Sequence, residues 1–96
     1  MQNNFFQTII FDDTKETLSY FKIIECQFIP REKEELIEIS DKHMQNYIVD
    51  KIIYNIDICK IDFVNIFLKD IHFKTSENKK ILEIFFHEKS WNLKND

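Results

Sequence analysis

The feature that most restricts how this chain can fold is the absence of glycine from its 96 residues. Tight turns often need a residue with a positive φ angle, and glycine adopts that conformation at the lowest steric cost. Other residue types must therefore make the turns, and we expect asparagine, aspartate and serine to do so. Alanine is also missing, while isoleucine, lysine, asparagine and phenylalanine are frequent, which is typical of an AT-rich genome.

The length predicts one α+β domain over residues 1–96. Ten phenylalanines, three tyrosines and one tryptophan offer a rich core for so short a chain. The net charge of −4 is uneven, because residues 1–50 contain ten acids and five bases, whereas residues 51–96 contain seven acids and eight bases. An acidic half favours a basic partner and disfavours nucleic acid.

The sequence also predicts an intracellular, cytoplasmic protein. Cys26 and Cys59 lie in apolar runs without a CxxC spacing, and we expect both to be buried, reduced thiols. The sequence does not begin with a basic segment followed by an apolar core, as a signal peptide does. No apolar run approaches the ~18 residues of a membrane span.

Two strands joined by a polar turn at residues 12–17 are predicted first. Residues 5–11 are rich in phenylalanine and isoleucine, as strands are. In residues 18–28 a helix would point apolar side chains in all directions, whereas a strand places most of them on one face, with Lys22 as the exception. The two segments therefore predict a hairpin.

Residues 30–48 are predicted to form an amphipathic helix. Pro30 suits a first helical turn, because its missing N–H would be unpaired there. The acidic residues that follow it would be stabilised by the helix dipole. At ~100° per residue, the apolar positions between Leu36 and Ile48 fall on one arc and the charged positions on the opposite arc.

The rest of the sequence is dominated by isoleucine and phenylalanine. Alternation predicts a strand over residues 52–58, a polar segment predicts a loop at 74–78, and a further strand is predicted at 81–87. Residues 63–73 fit both a helix period and a strand composition.

The strand interpretation of this ambiguous segment is favoured by cross-strand pairing. A hairpin with residues 81–87 places Lys69 opposite Glu83, although Asp70 then faces Leu82. The predicted fold is an antiparallel sheet of four to five strands with one helix packed on it, in the order ββαβββ. The alternative, ββαβαβ, has residues 62–72 helical.

The predicted helix would carry an acidic stripe. Glu34, Glu38 and Asp41 have the spacing i, i+4, i+7, with Glu35 beside them. Like charges four residues apart on a helix repel each other, so the stripe is mildly unfavourable in isolation. It is either a solvated face or a docking surface for a basic groove, which would speed the encounter with a protein partner.

A second candidate surface is basic. Lys79, Lys80 and Lys89 lie near Trp91, and lysines interleaved with aromatic residues can bind single-stranded RNA. The chain has a single arginine, although arginine is the preferred reader of phosphates and bases. The alternative is that these are ordinary surface lysines and that Trp91 closes the edge of the core.

No pattern in the sequence predicts a catalytic, metal or cofactor site. His43, His72 and His87 are dispersed, and none has a metal-ligand spacing to another histidine or to a cysteine. A glycine-rich phosphate loop is impossible without glycine. We therefore expect no enzymatic activity, no metal and no cofactor.

These features predict a non-enzymatic protein that binds and inhibits another protein. In size, acidity and lack of enzyme motifs, the chain resembles the small acidic proteins carried by phages and mobile elements, such as anti-CRISPR and toxin-immunity proteins. The resemblance implies a basic, nucleic-acid-handling target, such as a Cas nuclease or a nuclease toxin, bound in the host cytoplasm by a monomer or homodimer. The alternative is a small RNA- or DNA-binding regulator that uses the lysine-rich second half.

Overall fold

The computed structural model of this chain describes residues 2–25, 28–41, 43–57 and 60–94. Strands dominate it, as expected from the many isoleucines and phenylalanines, which favour extended backbone. One helix, α1 (Lys79–Glu88), accompanies seven strands in those residues. The strands are β1 (Gln2–Phe11), β2 (Thr17–Glu25), β3 (Glu35–Ile39), β4 (Met44–Asp57), β5 (Lys60–Leu68), β6 (Ile71–Phe73) and β7 (Asn92–Leu93).

The strands form a single mixed sheet in the order β3-β4-β5-β1-β2-β7. β1 is central, pairing with β2 in antiparallel register on one side. On its other side it pairs with β5 and then with β6, both in parallel register. The side chain of Gln7 spans the break between those two strands, because its Nε2 donates to the carbonyl of Lys69 at 2.8 Å.

The structure confirms the first hairpin, β1–β2, and corrects the predicted fold class. The sheet is neither antiparallel throughout nor limited to four or five strands. The predicted helix at 30–48 is wrong, since this segment contains β3 and the beginning of β4, which pair as a hairpin. The acidic residues and the isoleucines fit both periods, and the β-branched side chains suit the strand.

The predicted strand at 81–87 is also wrong, because these residues belong to α1. Leu82, Phe85 and Phe86 have the i, i+3, i+4 spacing of a helix and are buried together, while Ile81 and Ile84 face solvent. The helical alternative for residues 62–72 is wrong as well, since they contribute to β5 and β6. These strands pair with β4 and β1, not with residues 81–87.

The core lies between α1 and one face of the sheet, called the interior face below. Alternate β1 residues point there and are buried, from Asn3 to Phe11. Phe86 of α1 is fully buried, stacks on Tyr20 with ring centroids 4.5 Å apart, and meets Trp91 edge-on at 5.5 Å. Such aromatic contacts contribute beyond the area they bury.

Within the described residues, three non-glycine residues adopt positive φ angles, namely Lys15 (62°), Lys33 (71°) and Ser90 (65°). Of these three positions, Ser90 alone meets the expectation that asparagine, aspartate or serine would adopt such angles. Ser90 follows α1 in a Schellman arrangement, in which its N–H donates to the carbonyl of His87 and the Trp91 N–H donates to that of Phe86. This turn directs the Trp91 side chain back onto the sheet.

Candidate functional site

The sheet curls until its two ends approach each other. β3 lies at one end of the strand order, and β2 lies next to the other end. Even so, the Lys22 Nζ of β2 is 2.8 Å from the Glu38 Oε2 of β3. β7 pairs only with Tyr20 and Phe21 of β2, so within the described residues the β2 edge beyond Phe21 has no strand beside it. We call the gap between β2 and β3 the seam.

Glu38 is the centre of a polar cluster beneath the seam. Its Oε2 accepts a hydrogen bond from Lys22, while its Oε1 accepts bonds from the Tyr47 hydroxyl and the Trp91 indole N–H, both at 2.7 Å. The Lys22 ammonium also lies 5.8 Å from the centre of the Trp91 ring. One carboxylate therefore connects β2, β3, β4 and the residue that follows the α1 turn.

Opposing effects act on the pKa of Glu38. Burial raises this pKa, but the hydrogen bonds from Lys22, Tyr47 and Trp91 favour the carboxylate more strongly and hold the pKa below its ordinary value. Burial, together with the neighbouring Glu38 charge, raises the pKa of the Tyr47 hydroxyl. At neutral pH the cluster consequently contains an ionised Glu38 and a protonated Tyr47 that donates to it.

An apolar pocket of about 240 Å³ lies in the seam. Its mouth is flanked by Ile24, Phe28 and Ile37, whose exposed fractions are 36%, 61% and 53%. Its wall includes the polar cluster, although its surface is mainly apolar. The pocket is lined by Phe5, Lys22, Ile24, Phe28, Pro30, Leu36, Ile37, Glu38, Tyr47, Leu68 and Trp91.

The outer edge of β3 carries backbone groups that no described strand pairs. Val49 N donates to the Glu34 carbonyl and Ser40 N donates to the His43 carbonyl, which shows that the even-numbered residues of this strand point their backbone groups at β4. In an antiparallel pair the intervening residues point the opposite way. The N–H and C=O groups of Glu35, Ile37 and Ile39 therefore point away from β4, where no described strand lies.

The hairpin formed by β3 and the first part of β4 has an apolar outer face, called the hairpin face below. Ile37 and Ile39 of β3 are 53% and 63% exposed, and Met44 and Ile48 of β4 are 56% and 43% exposed. The register pairs Ile39 with Met44, so these side chains are neighbours across the two strands. Four acidic residues of these strands and their flanking turns are exposed, namely Glu32, Glu35, Asp41 and Asp50, together with the bases Arg31 and Lys33 that adjoin Glu32.

The residues predicted to form an acidic stripe do not share one face. Glu38 points to the interior face, while Glu35 is exposed on the hairpin face and Asp41 is exposed in the hairpin turn. The Glu34 carboxylate accepts a hydrogen bond from the Arg31 N–H at 2.8 Å. A strand sends successive side chains to opposite faces, and this separates residues that a helix would have aligned.

The residues predicted to bind nucleic acid also do not form one platform. The Trp91 side chain is only 6% exposed and packs in the core. Lys79 makes an ion pair with Glu16 and lies 3.9 Å from Glu83. Lys80 is exposed and Lys89 is half-buried. No stacking surface for bases is therefore formed by Trp91 with these lysines.

Neither Lys22 nor Tyr47 was predicted from the sequence to be a member of the polar cluster. One signal could have identified Lys22, which interrupts the apolar face of a strand. A lysine at such a position needs an acidic partner, because burying an unpaired charge is costly. The partner, Glu38, was hidden by its assignment to the solvent side of a helix.

No group of three or more histidine, cysteine, aspartate and glutamate side chains in the described residues is arranged to hold a metal ion. Cys26 and Cys59, predicted to be reduced, lie outside the described residues. Among the described residues, no helix combines the length and apolar character needed to cross a membrane. The chain matches no family model, no curated protein and no solved structure.

Proposed function

We propose that this protein acts in the cytoplasm by binding another protein through the hairpin face, as a non-enzymatic inhibitor of a nucleic-acid-handling effector. The observation that carries the proposal is the exposure of Ile37, Ile39, Met44 and Ile48 together on two paired strands. Contiguous apolar patches of this kind on a small protein are typical of interaction sites. Their polar surroundings match the rim of a protein interface.

The charges around the hairpin face favour a basic partner. Glu32, Glu35 and Asp41 are exposed, whereas the Glu38 charge is paired with Lys22 and does not contribute to this surface. An acidic rim attracts a basic protein surface at long range and raises the association rate. Nuclease effectors carry basic surfaces because they bind phosphates, which is the basis for placing the partner in this class.

The experiment compares capture of a partner from the native host by the tagged wild-type protein and by the double variant Ile39→Ser/Met44→Ser. We expect the double variant to bind the captured partner at least tenfold more weakly, because it removes the apolar centre of the interface. The matched control is Ile56→Ser, which changes another isoleucine that is 68% exposed on the same strand, outside the hairpin face. Equal binding by the double variant and the wild type would contradict the proposal.

The acidic rim is tested by the triple variant Glu32→Lys/Glu35→Lys/Asp41→Lys. Its association rate with the captured partner should fall at low salt and approach the wild-type rate as salt rises, because exposed charges are screened over ~8 Å at physiological ionic strength. The fold should be retained, since all three side chains are exposed. An unchanged rate at low salt would show that these charges are only solvated.

A further inference from the structure

We propose that the partner supplies an extended segment that adds as a further strand to the outer edge of β3 and places one large apolar side chain in the seam pocket. This inference rests on the proposed function and identifies the element of the partner that would be bound. It adds a contact in the seam pocket to the contacts that the hairpin face would make with the partner.

Strand β3 presents backbone groups that no described strand pairs. The N–H and C=O groups of Glu35, Ile37 and Ile39 point away from β4, with no described strand beside them. Natural proteins usually protect such an edge, because it can pair with any extended chain. β3 instead carries two exposed isoleucines at its edge. Addition of a partner strand is an established way to use an edge of this type.

The seam pocket lies beside this edge of β3. Side chains of an added strand that lie beside Leu36 and Glu38 would point to the interior face, as those two residues do. That direction leads into the pocket, which both residues line. A cavity of about 150 Å³ can hold a benzene molecule, so a pocket of about 240 Å³ has room for one large apolar side chain.

The charges beside β3 favour a basic segment. The alternate side chains of the added strand would lie on the outer face beside Glu35, Ile37 and Ile39, with the exposed Glu32 and Asp41 beyond the two ends of β3. The aliphatic stems of lysine or arginine would cover the isoleucines, while their charged ends reach the acidic side chains. The Glu38 carboxylate offers no comparable attraction on the other face, because it already accepts three hydrogen bonds. The bound segment is therefore expected to alternate basic with apolar residues.

The probe for this inference is the acetylated, amidated peptide Lys-Val-Lys-Leu-Lys-Val-Lys, titrated into the ¹⁵N-labelled protein and followed by NMR. We expect saturable shifts at the backbone amides of Glu35, Ile37 and Ile39 and at the indole N–H of Trp91, which lines the pocket. A peptide with serine in place of leucine should bind at least tenfold more weakly. Two N-methylated peptides, one methylated at the inner lysines and one at the valines, keep the side chains but lack alternate backbone donors. The peptide that lacks the donors facing β3 should bind at least tenfold more weakly.

A protein variant tests the same contact from the other side. Ile37→Pro removes an N–H that points away from β4, and proline is tolerated at such edge positions. It should weaken peptide binding at least tenfold, whereas the control Ile37→Val should change it less than threefold. If both N-methylated peptides bind as tightly as the unmodified peptide, or if the shifts are confined to other parts of the sheet, the inference is overturned.

Failure of strand addition can be distinguished from failure of the proposed function. If the captured partner needs Ile39 and Met44 but binds Ile37→Pro as well as it binds wild type, the hairpin face stands and strand addition is wrong. If the wild-type protein is a dimer by light scattering and Ile37→Pro is a monomer, the occupant of the β3 edge is a second copy of the chain, which also overturns the inference.

Discussion

The two halves of β4 have similar sequences and different surroundings. In the first half, alternate residues are buried, with Gln45, Tyr47 and Val49 exposed by 9%, 3% and 0%. In the second half, Tyr54 and Ile56 are 47% and 68% exposed although they are at least as apolar as Tyr47 and Val49. The register shift between Val49 and Lys51 separates the two halves.

The difference arises from what lies above the strand. Tyr47 is covered by Phe86 of α1 and by Trp91, with ring centroids 6.3 Å and 5.6 Å away. The second half of β4 runs beyond that cover, and the molecule is correspondingly long, at 48 × 28 × 25 Å. Burial along one strand is therefore decided by elements remote in sequence, since the alternation itself is present in both halves.

The largest loss of stability is expected for Phe86→Ala, because this change removes the ring that covers the first half of β4. A fully buried phenylalanine replaced by alanine leaves a cavity, and we expect a loss of about 3–5 kcal/mol in the free energy of unfolding. Urea denaturation measures it. The matched change in the second half, Ile56→Ala, should cost less than about 0.5 kcal/mol. Similar losses in the two variants would show that the second half is also packed.

A smaller effect is expected for Glu38→Gln, which weakens the polar cluster beside Tyr47. Loss of the charge leaves three donors less well satisfied, and we expect a cost of about 1–3 kcal/mol at pH 7. The pKa of Glu38 is lowered in the folded protein from an ordinary value of 4.5. Its contribution to stability is therefore complete above pH 4.5 and is lost as the pH falls through the lowered pKa.

The pH dependence supplies the check on this variant. The difference in unfolding free energy between wild type and Glu38→Gln should be largest near pH 7 and should shrink as the pH falls below 4.5. Urea denaturation at a series of pH values measures the difference. A gap that stays constant down to pH 3 would assign the effect of the substitution to packing and not to the carboxylate charge.

The smallest effect, and a stabilising one, is expected for Ser90→Gly. A positive φ angle strains a residue that has a Cβ atom by about 1–2 kcal/mol, and glycine in the unfolded chain costs about 0.5–1 kcal/mol. The net gain should be about 0.5–1 kcal/mol by urea denaturation. The control Ser90→Ala keeps the Cβ atom and should bring no such gain, and a destabilised Ser90→Gly would contradict this account of the turn.

Local sequence signals predicted the parts of the fold that depend on local structure. The hairpin of β1 and β2 was recognisable from two apolar segments around a polar turn. Residues 81–87 were misassigned because Ile81 and Ile84, on the exposed side of α1, fill the gaps between its buried positions. Glu83 and His87 are then the only polar residues in 81–87, and periodicity alone cannot separate a helix from a strand in so short an apolar run.

The candidate site was less predictable, because its members come from distant segments. Lys22, Glu38, Tyr47 and Trp91 meet only after the sheet has curled and the turn at Ser90 has been made. Parallel pairing between β1 and β5 is equally remote from any local pattern. The acidic composition around β3 was visible in the sequence, but the separation of Glu38 from Glu35 depends on the strand conformation.

The central position of β1 has a consequence for how the protein is made. During synthesis, residues 2–11 can pair at once with β2, but their other edge stays open until residues 60–73 have left the ribosome. Parallel pairing between strands so far apart in sequence is intrinsically slower than the formation of a local hairpin. The nascent chain therefore spends much of its elongation with an apolar strand edge that has no partner, and completion of the sheet has to follow synthesis of most of the protein.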